Sequence, residues 1–313
     1  MGVDARLVVY AKDQTTAETA CVAAFSRIAD LDSIMSDYRK DSELMRLCDK
    51  SGGPPVKVSK DLFVVLKRAQ EVSRLSKGAF DVTVGPLVGL WRKARKTAEL
   101  PDPQAIEQAR KLVGWKKVVL NSRTRTVKLM VQGMRLDLGG IAKGYAGDQA
   151  QIELKKHGIT RALVEMGGDI VVSDPPPGTK GWKVRVPNAG KGKEAMDLQF
   201  TNCGVSSSGD TEQFVVIGGI QYSHVVDPRT GQALTQRVQA TVIARDGLTS
   251  DPLSTALTVT DEKGRKQLGK AFPRTKKYLR VGGGAFRHST GENGGCCTAP
   301  TSRPERTGTR PRS

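Results

Sequence analysis

Aromatic residues are scarce in this 313-residue sequence, only 5%. That scarcity argues against a stacking surface for single-stranded nucleic acid. Cysteines number five, at Cys21, Cys48, Cys203, Cys296 and Cys297, with no CxxC and no Cys/His metal spacing. A redox pair or structural zinc site is therefore not expected, and the first three read as core thiols. No apolar run approaches the length of a membrane span, so a soluble chain is expected. No basic segment precedes an apolar stretch after Met1, so no signal peptide is read. That leaves either a cytoplasmic protein or a start downstream of a leader. Long blocks of Lys or Arg are also missing.

Acidic residues are outnumbered, 32 Asp and Glu against 50 Lys and Arg, for a net charge of +18. Such an excess favours a polyanionic partner: a nucleotide, a nucleic acid or an anionic surface. The basic residues are scattered, in short clusters such as "WRKARK" and "KLVGWKK". That pattern fits solvated surface better than a nucleic-acid footprint, and no nucleic-acid partner is expected.

Hydrophobic content of 38% and the chain length allow one large domain or two small ones. A strand is read at Arg6 to Ala11, then a helix from Thr15 with Ala17, Cys21, Ala24, Ile28, Leu31 and Met35 on one face. Further helices are read at "SELMRL", capped by Asp41 or Ser42, at Ser59 to Ser76, after Pro103 up to Val113, and from Ala142 to Gly158. A last helix is read from Asp251, with Pro252 at its first position. Short strands are read at "KKVVL", "TVKLM", "MRLDL", "RALVEM", "DIVVS", "WKVRV", "MDLQF", "QFVVI" and "QATVIA". The irregular mixture predicts an α+β fold with largely antiparallel sheets and packed helices. From Gly282 the composition turns to Gly, Pro, Ser, Thr and Arg, which reads as a disordered tail over 282–313.

Three segments carry candidate chemistry. In "RLDLGGIAKGYAGDQA" an acid, Asp137, precedes two glycines and a helix bearing Lys143. The glycines Gly139, Gly140 and Gly144 match neither the Walker loop nor the dinucleotide fingerprint. The same physics remains available: bare backbone approaches a ligand, and a helix start favours phosphate. A tight turn with a solvated lysine is the alternative. In "GLTSDPLSTAL", Asp251 and Thr255 stand one helical turn apart, a pair suited to a hard cation such as Mg²⁺. Asp251 before Pro252 reads equally as an N-cap. In "QYSHVVDPRTG", His224 precedes an Asp-Pro turn, and a lone histidine is more often structural than catalytic. Carboxylates recur beside turns at Asp81, Asp137, Asp169, Asp210, Asp227 and Asp251. In so basic a chain they suggest a metal-assisted site for a charged ligand.

Taken in order, "MSDYRKDSEL", "GAFDVTVGPLVGLW", "DLGGIAKGYAGD", "VEMGGDI", "SSGDTEQF", "YSHVVDPRTG" and "TSDPLSTAL" resemble the ApbE family, the FAD:protein FMN transferases. The resemblance implies an ApbE-like, T-fold-like domain over 1–281 and sets the tail outside it. It implies a Mg²⁺-dependent enzyme that splits FAD and passes FMN through a phosphoester to a Thr or Ser of an acceptor protein, releasing AMP. The acceptor would be a membrane electron-transport subunit. Relatives that hydrolyse FAD to FMN and AMP make a pyrophosphatase the alternative, and a non-catalytic FAD-binding protein another. Carried over residue by residue, the metal ligands would be Gly140, Asp251 and Thr255. The FAD contacts would be Met1, Tyr38, Ala79, Phe80, Asp81, Asp137, Lys143 and Val225, with His224 as general base. Thr211 stands where the family usually has an aromatic residue, and Gln213 where it has a basic one. Family members usually act in the bacterial envelope, whereas no signal peptide is read here.

Overall fold

The computed structural model describes residues 2–186, 196–209, 214–282 and the backbone of 287–289. Met1, Asp210, Thr211, Gln213, Cys296 and Cys297 lie outside the described residues. The chain opens with β1 (Ala5–Tyr10), α1 (Gln14–Met35), α2 (Glu43–Asp49), β2 (Val56–Lys57), α3 (Lys60–Leu75), α4 (Gly85–Thr97) and α5 (Pro103–Leu112). It continues through β3 (Val118–Asn121), β4 (Thr126–Leu129), α6 (Ala142–Lys156), β5 (Arg161–Met166) and β6 (Asp169–Val172). Then come β7 (Trp182–Val186), β8 (Met196–Phe200), β9 (Cys203–Gly209), β10 (Phe214–Ile217) and β11 (Ile220–Ser223). The last described elements are β12 (Val238–Ala244), α7 (Gly247–Val259), α8 (Glu262–Ala271), β13 (Lys276–Val281) and β14 (Arg287–Ser289).

Seven strands form the main sheet in the order β1-β5-β6-β9-β12-β13-β14, and every pairing in it is antiparallel. One face buries α1, α6 and α7 through Ala24, Leu31, Ala146, Leu154, Leu253 and Leu257. The opposite face is covered by the β7–β8 ribbon, whose Trp182, Val184 and Phe200 pack on Val205 and Ile243. With both faces covered, β12 is buried at all seven of its residues. The α+β, largely antiparallel class expected from the sequence is the class observed. Among the described residues no helix is long and apolar enough to cross a membrane.

Helix starts follow local chemistry. Asp13, Ser42, Ser59, Asp102 and Asp261 each accept a backbone N–H of the first turn of their helix, a cap worth about 1 kcal/mol. Cys48 and Cys203 are buried as expected, whereas Cys21 is half-buried.

Several expectations fail for physical reasons. "MRLDL" is not a strand: Met134, Leu136 and Leu138 are buried, but its backbone pairs in no ladder, and Asp137 N–H donates to the Val82 carbonyl at 2.8 Å. A helix not read from the sequence, α4, takes in the basic stretch after Trp91, with Leu87, Trp91 and Ala94 buried at helical spacing. The last sequence-read helix begins four residues earlier, at Gly247, so Asp251 is not its N-cap and Pro252 lies inside it. A further helix, α8, follows it. In the segment read as a disordered tail, β14 pairs with β13 through Lys277 to Leu279.

Candidate active site

The turn before α6 meets α7 above the sheet. Gly139 N–H donates to Asp137 Oδ1 (2.8 Å), which fixes the double-glycine turn. A Cβ on Gly140 would lie 3.0 Å from Thr255 Oγ1 and 3.3 Å from the Phe80 ring, so the bare backbone there runs against α7. Gly144 N–H donates to Asp251 Oδ2 (3.0 Å). Lys143 Nζ lies 2.5 Å from Asp169 Oδ2 and 3.6 Å from Asp251 Oδ1, and it donates to the Gly139 carbonyl at 3.1 Å. The structure thus brings Gly140, Lys143, Asp251 and Thr255 into one neighbourhood from two segments more than 100 residues apart.

Charge is unevenly matched at this point. Asp251 is 1% exposed and Asp169 5%, with one ammonium between them. Burial, then the Asp169 charge, push the Asp251 carboxyl up, against the pull of Lys143 and the Gly144 N–H. Burial alone would lower the Lys143 ammonium, but Asp169 and Asp251 outweigh it and hold the group charged. Thr255 Oγ1 is 3.1 Å from Ser208 Oγ on β9.

Of these groups Gly140, Lys143, Asp169, Ser208 and Thr255 border a cleft of about 520 Å³, with Asp251 behind them. Tyr38, Ala79, Phe80, Asp81, His224 and Val225 line it as well. Tyr38 is 67% exposed, and the Arg92 guanidinium lies 4.4 Å from its ring centroid. Arg92 also donates to Asp37 and, at 3.0 Å, to Asp137 Oδ2. Burial and Asp37 raise the Asp137 carboxyl while Arg92 opposes them. Asp81 is different in kind. Its Oδ1 accepts from Thr83 N–H and Oγ1 (2.9 and 2.7 Å), and its Oδ2 from Trp115 N–H (2.7 Å). That carboxylate is occupied by the fold, so its placement orders the cleft wall. Val225 N–H donates to Ser223 Oγ (3.1 Å), leaving its side chain 8% exposed beside His224. Met1 lies outside the described residues.

The sequence gives no role to Arg92 or Ser208, and a different one to Gly144. Arg92 and Ser208 carry no local signal, because their partners are distant in sequence. Gly144 was grouped with the ligand-facing glycines, yet a Cβ there would lie 2.1 Å from the Gly247 carbonyl oxygen. It is the point where α6 and α7 touch backbone to backbone.

Comparison with known proteins finds relatives along most of the chain. The ApbE family profile matches residues 1–278. A FAD:protein FMN transferase of Haemophilus influenzae is 31% identical over 244 residues, 75% of this chain and 70% of that protein. One from Treponema pallidum is 31% identical over 290 residues, 87% of this chain and 80% of that protein. The crystal structure of the ApbE protein of Thermotoga maritima superposes with a TM-score of 0.83 at 30% identity, covering 92% of this chain and 94% of that one. The flavin transferase ApbE of Vibrio cholerae gives 0.83 at 26% identity, covering 93% and 94%. A profile match from the first residue into β13, with relatives above 30% identity, establishes that the chain belongs to the ApbE family.

Proposed function

We propose that this chain is a FAD:protein FMN transferase that uses Mg²⁺, transfers FMN to a Thr or Ser hydroxyl of an acceptor protein and releases AMP. The acceptor we propose is a membrane electron-transport subunit, with the bacterial envelope as the place of action. The observation that carries the reading is the meeting of the Gly140 turn, Lys143 and the Asp251–Thr255 pair beside one cleft.

The residues suit a hard divalent cation. The donors are oxygens throughout: the Asp251 carboxylate, the Thr255 hydroxyl and the Gly140 carbonyl. Two buried carboxylates face a single ammonium, so the neighbourhood has negative charge to spare. Gly140 keeps the backbone close to Thr255 where any side chain would intrude. When bound, the cation would neutralise pyrophosphate oxygens and stabilise charge developing at phosphorus.

Lys143 and the first turn of α6 offer positive charge to the same oxygens. Tyr38, on its Arg92 backing, presents an exposed ring to a planar part of FAD. His224, on the cleft wall, takes the proton of the acceptor hydroxyl. That oxygen bonds to the phosphorus of the FMN half. The bridging P–O bond breaks, and AMP leaves with the bond pair and the bridging oxygen. No covalent enzyme intermediate is needed.

Incubation with FAD, Mg²⁺ and a Thr-bearing acceptor peptide tests this. Covalent flavin fluorescence on the peptide is expected. Free FMN and AMP without peptide labelling would make the chain a pyrophosphatase, and intact FAD would leave it a binding protein.

A further inference from the structure

Asp169 opens β6 directly after the paired glycines of "VEMGGDI". It is 5% exposed and lines the same cleft as Gly140 and Thr255. Its two oxygens differ. Oδ2 holds Lys143 Nζ at 2.5 Å. Oδ1 is buried and has no hydrogen-bond partner among the described residues.

A buried carboxylate oxygen left unpaired is unfavourable unless something positive or protic satisfies it. Asp169 has not been used elsewhere in the fold, unlike Asp81, whose oxygens are fully occupied. The oxygen is sealed from water, yet a bare divalent cation is smaller than a water molecule. The local charge also calls for one: Asp169 and Asp251 share the single Lys143 ammonium. Lys143 and a divalent cation would compete for these carboxylates, since both are drawn to the same oxygens.

We propose that Asp169 is a second carboxylate ligand of the divalent cation, Oδ1 supplying the bond while Oδ2 keeps Lys143 in place. The proposal rests on the reading of Gly140, Asp251 and Thr255 as a cation site. It adds a ligand that the acid–alcohol pair on α7 does not supply, and it draws that ligand from the sheet. Lys143 then acts as a tethered competitor, held on Oδ2 while it draws on the same carboxylate charge as the cation.

Titration calorimetry with Mn²⁺ alone, on the full chain, tests it without reference to turnover. Asp169→Asn keeps the shape and removes the charge, and it is expected to weaken Mn²⁺ binding about tenfold or more. Lys143→Met removes the competitor and is expected to tighten binding. Asp251→Asn is the control for the site itself and is expected to lose Mn²⁺. Circular dichroism verifies folding, with Asp169→Ser as the second variant should the first not fold. If Asp251→Asn loses Mn²⁺ while both Asp169 variants bind it as the parent does, the proposal is overturned and the cation site stands. If Lys143→Met weakens binding as much as Asp169→Asn, Asp169 acts only through the lysine and the proposal is overturned. If Asp251→Asn binds Mn²⁺ unchanged, the cation site itself is wrong and the proposal falls with it.

Discussion

Gly140 sits where one methyl group would be felt, 3.0 Å from Thr255 Oγ1 and 3.3 Å from Phe80. Gly140→Ala should leave the fold intact but shift the turn by a few tenths of an ångström. Cation-dependent turnover should fall by about ten- to a hundredfold, because small displacements of positioned groups are expensive in rate. Steady-state kinetics against Mg²⁺ concentration checks this, and an unchanged profile would show that the turn has no part in the site. Asp251→Ala should abolish Mg²⁺-dependent turnover. His224→Ala should spare FAD binding, followed by flavin fluorescence, while slowing transfer by about a hundredfold or more. A full rate in that variant would remove His224 from the mechanism.

At the scale of elements, the contact between α6 and α7 fixes the site. Gly144 and Gly247 approach backbone to backbone, and Asp148 of α6 accepts from Gly247 and Leu248 N–H (2.7 and 2.8 Å) at the start of α7. Gly144→Ala would drive a Cβ into the Gly247 carbonyl, an atom that cannot swing aside. A loss of about 2–4 kcal/mol is expected from such overpacking, readable in urea denaturation. A loss under 0.5 kcal/mol would mean the helices separate freely. The neighbouring β9, "CGVSSSG", is poor in strand formers and is not legible as a strand. It stays in the sheet because its hydroxyls pair with α7: Ser206 with Ser250 at 2.8 Å, Ser208 with Ser254 at 2.7 Å. Tertiary pairing there overrides propensity. The start of α7 is illegible for a similar reason. Pro252 suggests a first-turn position, but Asp148 caps the helix from a segment about 100 residues away.

The whole molecule carries a net charge of +18, which attracts a pyrophosphate-bearing substrate from a distance. Raising salt from about 0.05 to about 0.5 M should increase KM for FAD severalfold with little change in kcat, as screening shortens the reach of that field. A flat KM would assign binding to contacts alone. The sheet also carries a buried base. Burial lowers the Lys277 ammonium to about 8, although it donates to the Phe272 carbonyl at 3.1 Å. In the unfolded chain the group keeps its proton to a higher pH, so stability from this group rises between about pH 8 and pH 10.5 and is lost as pH falls through 8. Lys277→Met should therefore be more stable than the parent at pH 7, with the difference shrinking by pH 10. Thermal melts at both values check it, and a constant difference would refute it. Sequence alone determined the α+β class, most capped helix starts and the short segments that hold Gly140, Lys143, His224, Asp251 and Thr255. Those properties are local: they depend on spacing, caps and turn residues a few positions apart. Only the tertiary structure decided that Asp251 is no cap, that Gly144 is a helix crossing, that Asp81 is occupied by the fold and that Asp169 keeps one oxygen unpaired. Each of these depends on segments distant in the chain meeting: α6 against α7 for Asp251 and Gly144, Trp115 against Asp81, and the burial of Asp169 beside Lys143.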